Sequence, residues 1–245
     1  MTIDADPSRP SAKGVPRSVD TRLALSSGDG LADRLRGFGP LGVLAIFVIA
    51  AGTLVTPFLG ALLVLGWRWR SQTPWHEIGY ARPKSWIGSL AIGIALGCAL
   101  KLLLKSVVMP LLGASPINPT YHYLVGNTAA LPGILFAMIV GAGFGEETVY
   151  RGYLFERLGR LLGTGVAAKI FIVMLVAGLF ALAHYPEQGL DGVQQAVITG
   201  LTFGSIFAIT GRLWMPMFAH AMYDLTSVAI IYLNLEYDVA HLLFK

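Results

Sequence analysis

From Trp86 to Val108 the chain is apolar but for two charges, Lys101 and Lys105, and uninterrupted stretches of this kind, roughly 18–25 residues long, recur along it. Inside a hydrocarbon layer every backbone N–H and C=O needs an internal partner, so repeated runs of this length dictate helices that cross a bilayer and bundle together. With 55% hydrophobic and only 13% charged residues, the chain is far too apolar for a soluble domain of 245 residues. The expected fold class is all-α, a polytopic membrane helical bundle of about eight transmembrane helices, with roughly six to eight allowed by the run boundaries.

The formal net charge of +4 is modest, and the basic residues lie in short loops beside apolar runs. There they report topology rather than nucleic-acid binding, and no nucleic-acid partner is expected. The single cysteine, Cys98, excludes an intramolecular disulfide and a thiolate metal cluster. Residues 1–36 are rich in Ser, Pro, Asp and Arg and lack the apolar core of a signal peptide. They read as a disordered cytoplasmic tail, followed by one membrane domain over 37–245.

The apolar block Leu41–Trp67 carries Pro57 and Gly60, with Arg34 and Arg36 before it and Arg68 and Arg70 after it. Basic flanks on both sides favour the same membrane face, which predicts a short hairpin or re-entrant pair. The segment 73–85, "TPWHEIGYARPKS", has the mixed aromatic and basic composition of an interfacial stretch. Lys101 and Lys105 lie one turn apart near the end of the next span, where snorkelling to the headgroups is expected ahead of a substrate-binding role. Residues 111–130 contain no Lys or Arg and read as an exterior loop. Further runs follow from Leu131 towards Gly145 and near Gly165–Ala183, Val193–Thr210 and Leu213–Leu233.

Ionisable groups at membrane depth are costly unless paired or hydrated, so each is a candidate for function. Three clusters stand out: Glu146, Glu147 and Arg151; His184, one turn after Phe180; and His220 with Asp224. On a helix Glu147 and Arg151 stack on one face, acid first, and neutralise each other. Glu146 is turned about 100° away and keeps a free carboxylate for a cavity. That is the arrangement of a general base, Glu146, beside two imidazoles. Structural readings compete with it: both glutamates sharing Arg151 and Arg157 in an interfacial network, and His220–Asp224 serving helix packing.

The order Glu-Glu-x-x-x-Arg, Phe-x-x-x-His, His-x-x-x-Asp resembles the CPBP family of intramembrane glutamic endopeptidases, which includes the CAAX prenyl proteases and the bacteriocin-processing or abortive-infection proteins. The matching residues are Glu146, Glu147, Arg151, Phe180, His184, His220 and Asp224, within about 127–235, and "WHEIGYARPKSW" at 75–86 looks like a segment found before a span in bacterial members. The resemblance implies an eight-helix, metal-independent peptidase without a cofactor. By it, Glu146 activates water with help from His184, His220 and the residue at 224 stabilise the oxyanion, and Glu147 and Arg151 support them. Its partners would be a lipid bilayer and a membrane-associated peptide or protein substrate, in a prokaryotic cytoplasmic membrane with the N-terminal tail in the cytoplasm.

One departure bears on substrate. The CAAX-processing members have Asn at the last motif position, whereas this chain has Asp224, and an ionised aspartate cannot donate to an oxyanion. Topology adds a second constraint: were 146–162 a surface loop, Glu146 and His184 would lie about 25–30 Å apart on opposite faces. Letting 146–162 cross the membrane gives about eight helices, places both termini in the cytoplasm and sets hydrolysis in or just below the cytoplasmic leaflet. Two other functions fit the same residues: a metal-dependent intramembrane protease, although no His-Glu-x-x-His helix is present, and a non-catalytic scaffold or small transporter.

Overall fold

The computed structural model describes residues 26–244 and contains eight helices: α1 (Ser26–Arg36), α2 (Pro40–Val55), α3 (Pro57–Ser71), α4 (Trp86–Leu111), α5 (Thr128–Leu162), α6 (Val166–Thr210), α7 (Trp214–Tyr232) and α8 (Glu236–Ala240). Apart from one isolated bridge between Tyr80 and Arg212, no extended pairing occurs among the described residues. The exterior is apolar, with Leu54 and Ile209 each 85% exposed, as a bundle solvated by lipid requires. The fold is an all-α membrane bundle. Three helices, α4, α5 and α6, are long and apolar enough to cross a membrane, or four when α1 and α2, bent by 57°, are taken as one broken span.

Residues 1–25 of the expected tail lie outside the described residues. The tail reading does not extend to residue 36, because Ser26–Arg36 is helical and Arg36 pairs with Glu77 at 2.8 Å. A larger correction concerns α5. The run from Leu131 and the charged stretch 146–162 are one continuous helix rather than two crossings. Gly189, at φ 60° and ψ −152°, folds α6 into two limbs, 166–188 and 190–210, each about 30 Å long. A left-handed φ of this kind favours glycine, so the break is written in the sequence.

Two sets of contacts fix where α1 and α8 sit in the bundle. At one end of the bundle Glu77 meets Arg36 of α1 and Arg160 of α5, and Arg157 donates to the Arg36 carbonyl at 2.8 Å. At the other end Glu236 of α8 accepts from the Asn118 N–H at 2.8 Å, and Thr120 donates to the Glu187 carbonyl at 2.8 Å. Helices α1 and α8 therefore sit at opposite ends.

Helices α2 and α3 form the anticipated hairpin. Thr56 is extended and its Oγ1 accepts from the Leu59 N–H at 3.1 Å, capping α3 ahead of Pro57. Each arm is only about 24 Å long, short of the hydrocarbon thickness. Its apex stops beside the middle of α5, where a Cβ on Gly145 would lie 2.8 Å from the Pro57 carbonyl. On the far side, Gly93 and Gly97 let α4 press against α7: a Cβ at Gly97 would stand 2.3 Å from the Ala219 carbonyl oxygen. The 73–85 stretch crosses the basic end, where the Tyr80 and Thr148 hydroxyls share a hydrogen bond at 2.7 Å and Trp214 donates to the Ala81 carbonyl at 3.0 Å.

Candidate active site

Glu146, Glu147 and Arg151 lie in the middle of α5, where Ala137–Leu154 is wound as a π-helix rather than an α-helix. Such i→i+5 windings are rare and concentrate at functional sites because they displace side chains from the α register. The two glutamates diverge as expected. Glu147 is fully buried, while the Glu146 side chain retains 15% exposure and lines a cavity of about 740 Å³.

The same cavity is lined by Phe180 and His184 from the first limb of α6 and by His220 and Asp224 from α7. Three separate stretches of chain thus bring the sequence-selected residues together. His220 Nε2 stands 3.7 Å from Glu146 Oε2 and 3.6 Å from Asp224 Oδ2, so two carboxylates flank one imidazole nitrogen. Both separations exceed a direct hydrogen bond and are ion-pair distances for a protonated ring. Glu146 Oε2 makes no hydrogen bond with the described residues.

The other ring nitrogen is fixed. His220 Nδ1 donates to Glu147 Oε1 at 2.7 Å, and Arg151 Nη1 donates to that same oxygen at 2.7 Å. The guanidinium is held between the rings of Phe180, at 4.6 Å, and Phe203, at 5.8 Å, and reaches the Gly200 carbonyl at 3.5 Å. His184 is oriented in parallel fashion: its Nδ1 donates to the Phe180 carbonyl at 2.8 Å, which leaves Nε2 of the neutral ring as an acceptor.

Glu147 occupies Nδ1 of His220, and Asp224 faces Nε2. One competing reading from sequence changes here: the glutamates at 146 and 147 do not share a network with Arg157, whose carboxylate partner is Glu156 at 2.5 and 2.9 Å. Arg160 completes that separate cluster with Glu156 at 2.5 Å and Glu77 at 3.3 Å.

Sequence reasoning missed several residues of the cavity wall. Tyr121 enters from the loop after α4, and burial, followed by neighbouring carboxylates, pushes its phenol up to about 12, so it remains a neutral donor. Gln195, on the second limb of α6, accepts from the Tyr223 hydroxyl at 3.0 Å and from Lys101 at 3.0 Å. An amide beside an apolar run was the available signal for Gln195. Tyr121 carried none, because its position depends on how the 112–127 loop folds back. Among the described residues no three His, Cys, Asp or Glu side chains are arranged to hold a metal ion.

A membrane helical bundle with a half-buried acid–histidine cavity defines the class of polytopic membrane proteins with an intramembrane polar site. Residues 128–226, from the start of α5 into α7, match the family described as type II CAAX prenyl endopeptidase, Rce1-like, so this stretch of the chain is similar to the CPBP family of CAAX proteases. The match supports an intramembrane protease in general and contains all seven motif residues. No curated protein and no solved structure matches the chain.

Proposed function

We propose that this protein is an intramembrane endopeptidase that hydrolyses a peptide bond of a membrane-associated protein or peptide through water activated by Glu146, without a metal. The observation that carries this reading is the flanking of His220 Nε2 by Glu146 and Asp224 in a cavity that His184 also lines. Glu146 accepts a proton from water as the water oxygen attacks the scissile carbonyl carbon. His184 Nε2 accepts a second hydrogen bond from that water and orients it. The developing oxyanion accepts from His220 Nε2–H, and Asp224 favours that protonated ring. The proton held on Glu146 then passes to the leaving amine, which balances the step.

Glu147 and Arg151 act as positioning residues. Their shared bond to His220 Nδ1 presents Nε2 to the cavity and supplies a counter-charge to the imidazolium. Asp224 stands where the CAAX-processing members have Asn, so the substrate class supported is a membrane-associated peptide rather than a prenylated CAAX peptide in particular.

The end of the bundle holding Arg36, Arg68, Arg70, Arg82, Lys84 and Arg212 is the basic one, and on the charge asymmetry of membrane proteins it faces the cytoplasm. The active-site cavity shares Lys101, Asn118, Glu187 and Gln195 with a pocket at the other end. In this orientation the cavity opens towards the outer side, whereas the expectation from sequence set hydrolysis in or just below the cytoplasmic leaflet.

The test is cleavage of a broad peptide library by purified protein in neutral detergent, read by mass spectrometry of new termini, with and without a chelator. Wild type is expected to cut in both conditions and Glu146→Gln to lose about 10²–10⁴-fold. Chelator-abolished cutting would move the reading to a metalloprotease, and a folded Glu146→Gln protein with full function would move it to a scaffold or transporter.

A further inference from the structure

Lys101 does not snorkel. Its side chain turns into the bundle, the residue is 8% exposed, and Nζ donates to Gln195 Oε1 at 3.0 Å and lies 4.8 Å from the centre of the Tyr223 ring. Neighbouring Lys105 has a carboxylate, Glu236, at 3.7 Å, and also donates to the Pro116 carbonyl. Lys101 has no carboxylate within ion-pair distance among the described residues. An ammonium carries three N–H donors; one is taken by an amide and one direction is closed by an aromatic face. A cation this deep whose direct contacts are all neutral, with the carboxylates of Asp224 and Glu236 acting on it only from beyond ion-pair distance, is costly, and a carboxylate arriving in the cavity relieves that cost.

Position gives this charge a role. Lys101 lines both the cavity of Glu146 and the outer pocket of about 570 Å³ that continues from it. A peptide held with its scissile bond at Glu146 and extending towards the outer pocket passes Lys101 within a few residues. We propose that Lys101 is an anion subsite that receives a carboxylate of the bound peptide, either its terminal carboxylate or the side chain of an acidic residue. Gln195, held by the Tyr223 hydroxyl at 3.0 Å, positions the ammonium for it. The inference rests on the peptidase reading for the nature of the ligand, and its test separates the two.

The test uses binding without turnover. Glu146→Gln protein in neutral detergent is titrated with an apolar peptide bearing an uncharged fluorophore, in three forms: free C-terminal acid, C-terminal amide, and amide with one glutamate near the end. A carboxylate-bearing form is expected to bind about ten-fold or more tightly than the plain amide, as a charge-assisted hydrogen bond predicts. Which form gains affinity identifies the source of the carboxylate. Lys101→Met is expected to erase the difference, and Lys101→Arg, which keeps the cation, to retain at least part of it.

Equal affinity for all three forms overturns the proposal, and this comparison needs no Lys101 variant to fold. Persistence of the difference in Lys101→Met overturns it too. So does a Lys101→Met protein on the wild-type Glu146 background that loses kcat equally for acid and amide peptides at unchanged KM, because Lys101 then serves only to balance cavity charge. If wild type cuts none of the peptides while the binding difference stands, the peptidase reading fails and the subsite survives.

Discussion

Glu147 and His220 share a buried hydrogen bond of 2.7 Å, and through it the residue next to the proposed base sets which imidazole nitrogen faces the cavity. Arg151 donates to the same carboxylate oxygen, so a guanidinium, a carboxylate and an imidazole form one chain across α5 and α7. None of these groups finds water in a fully buried setting. Their pairing makes them tolerable in the bilayer and leaves Nε2 as the one ring atom available for chemistry.

Breaking that chain exposes its cost. Glu147→Gln leaves the Arg151 cation without its carboxylate and is expected to destabilise the protein by about 3–5 kcal/mol. The double variant Glu147→Gln/Arg151→Met should recover part of that loss. Thermal unfolding in detergent checks it, and additive losses would show that the two residues do not act as a pair.

Asp224→Asn exchanges an acceptor-only carboxylate for an amide that donates to an oxyanion. The variant is expected to fold normally and to change kcat by less than about ten-fold, against the 10²–10⁴-fold loss expected at Glu146. Initial rates on one cut peptide decide this. A loss as large as that of Glu146→Gln would make Asp224 a second essential acid.

Gly97 is a packing prediction independent of chemistry. Adding a Cβ 2.3 Å from the Ala219 carbonyl oxygen forces α4 and α7 apart, so Gly97→Ala should cost about 1–3 kcal/mol. Gly141→Ala, with open space around it, should be neutral. Melting temperatures of both variants provide the comparison.

Glu77 supplies a pH-dependent clasp at the basic end. Burial raises its carboxyl, but Arg36 and Arg160 outweigh burial and hold it below the ordinary value of 4.5. A lowered folded-state pKa contributes stability that is fully present above the unfolded value and is lost as pH falls through the lowered one. Stability should therefore decline below pH 4.5 less steeply in Glu77→Gln than in wild type, as followed by unfolding at several pH values.

Orientation is open to labelling. In a Cys98→Ala background, Ser115→Cys should react with an impermeant maleimide on intact cells, whereas Lys84→Cys should react only after permeabilisation. The reverse pattern would place the mouth of the cavity in the cytoplasm.

Residue patterning made much of this legible. Apolar run length foretold a helical membrane bundle, and basic flanks at Arg34–Arg36 and Arg68–Arg70 foretold a hairpin returning to its own face. The spacing of Glu147 with Arg151 and of His220 with Asp224 foretold one-turn neighbours; the buried bond from His220 to Glu147 joins the two pairs, and His220 and Asp224 line the cavity of Glu146. The path of α5 was not legible, because "GEETVYRG" looks like the end of a span when its partners are unknown. Its charges are tolerated mid-helix because Arg151 pairs with Glu147 one turn away and Glu147 also finds His220, 73 residues away. Lys101 was misread for the same reason: hydropathy cannot say whether a long cation reaches outward to lipid headgroups or inward to Gln195.

The halting of the α2–α3 arms at Thr56–Pro57 has a consequence for lipid. Beyond that apex, towards the outer side, neither arm continues, so the flank of α5 there has no neighbouring rod from this pair. Leu54, Val55 and Phe136 rim that recess. The recess opens the cavity of Glu146 sideways to the hydrocarbon layer, so whatever enters along this flank does so from lipid and not from water.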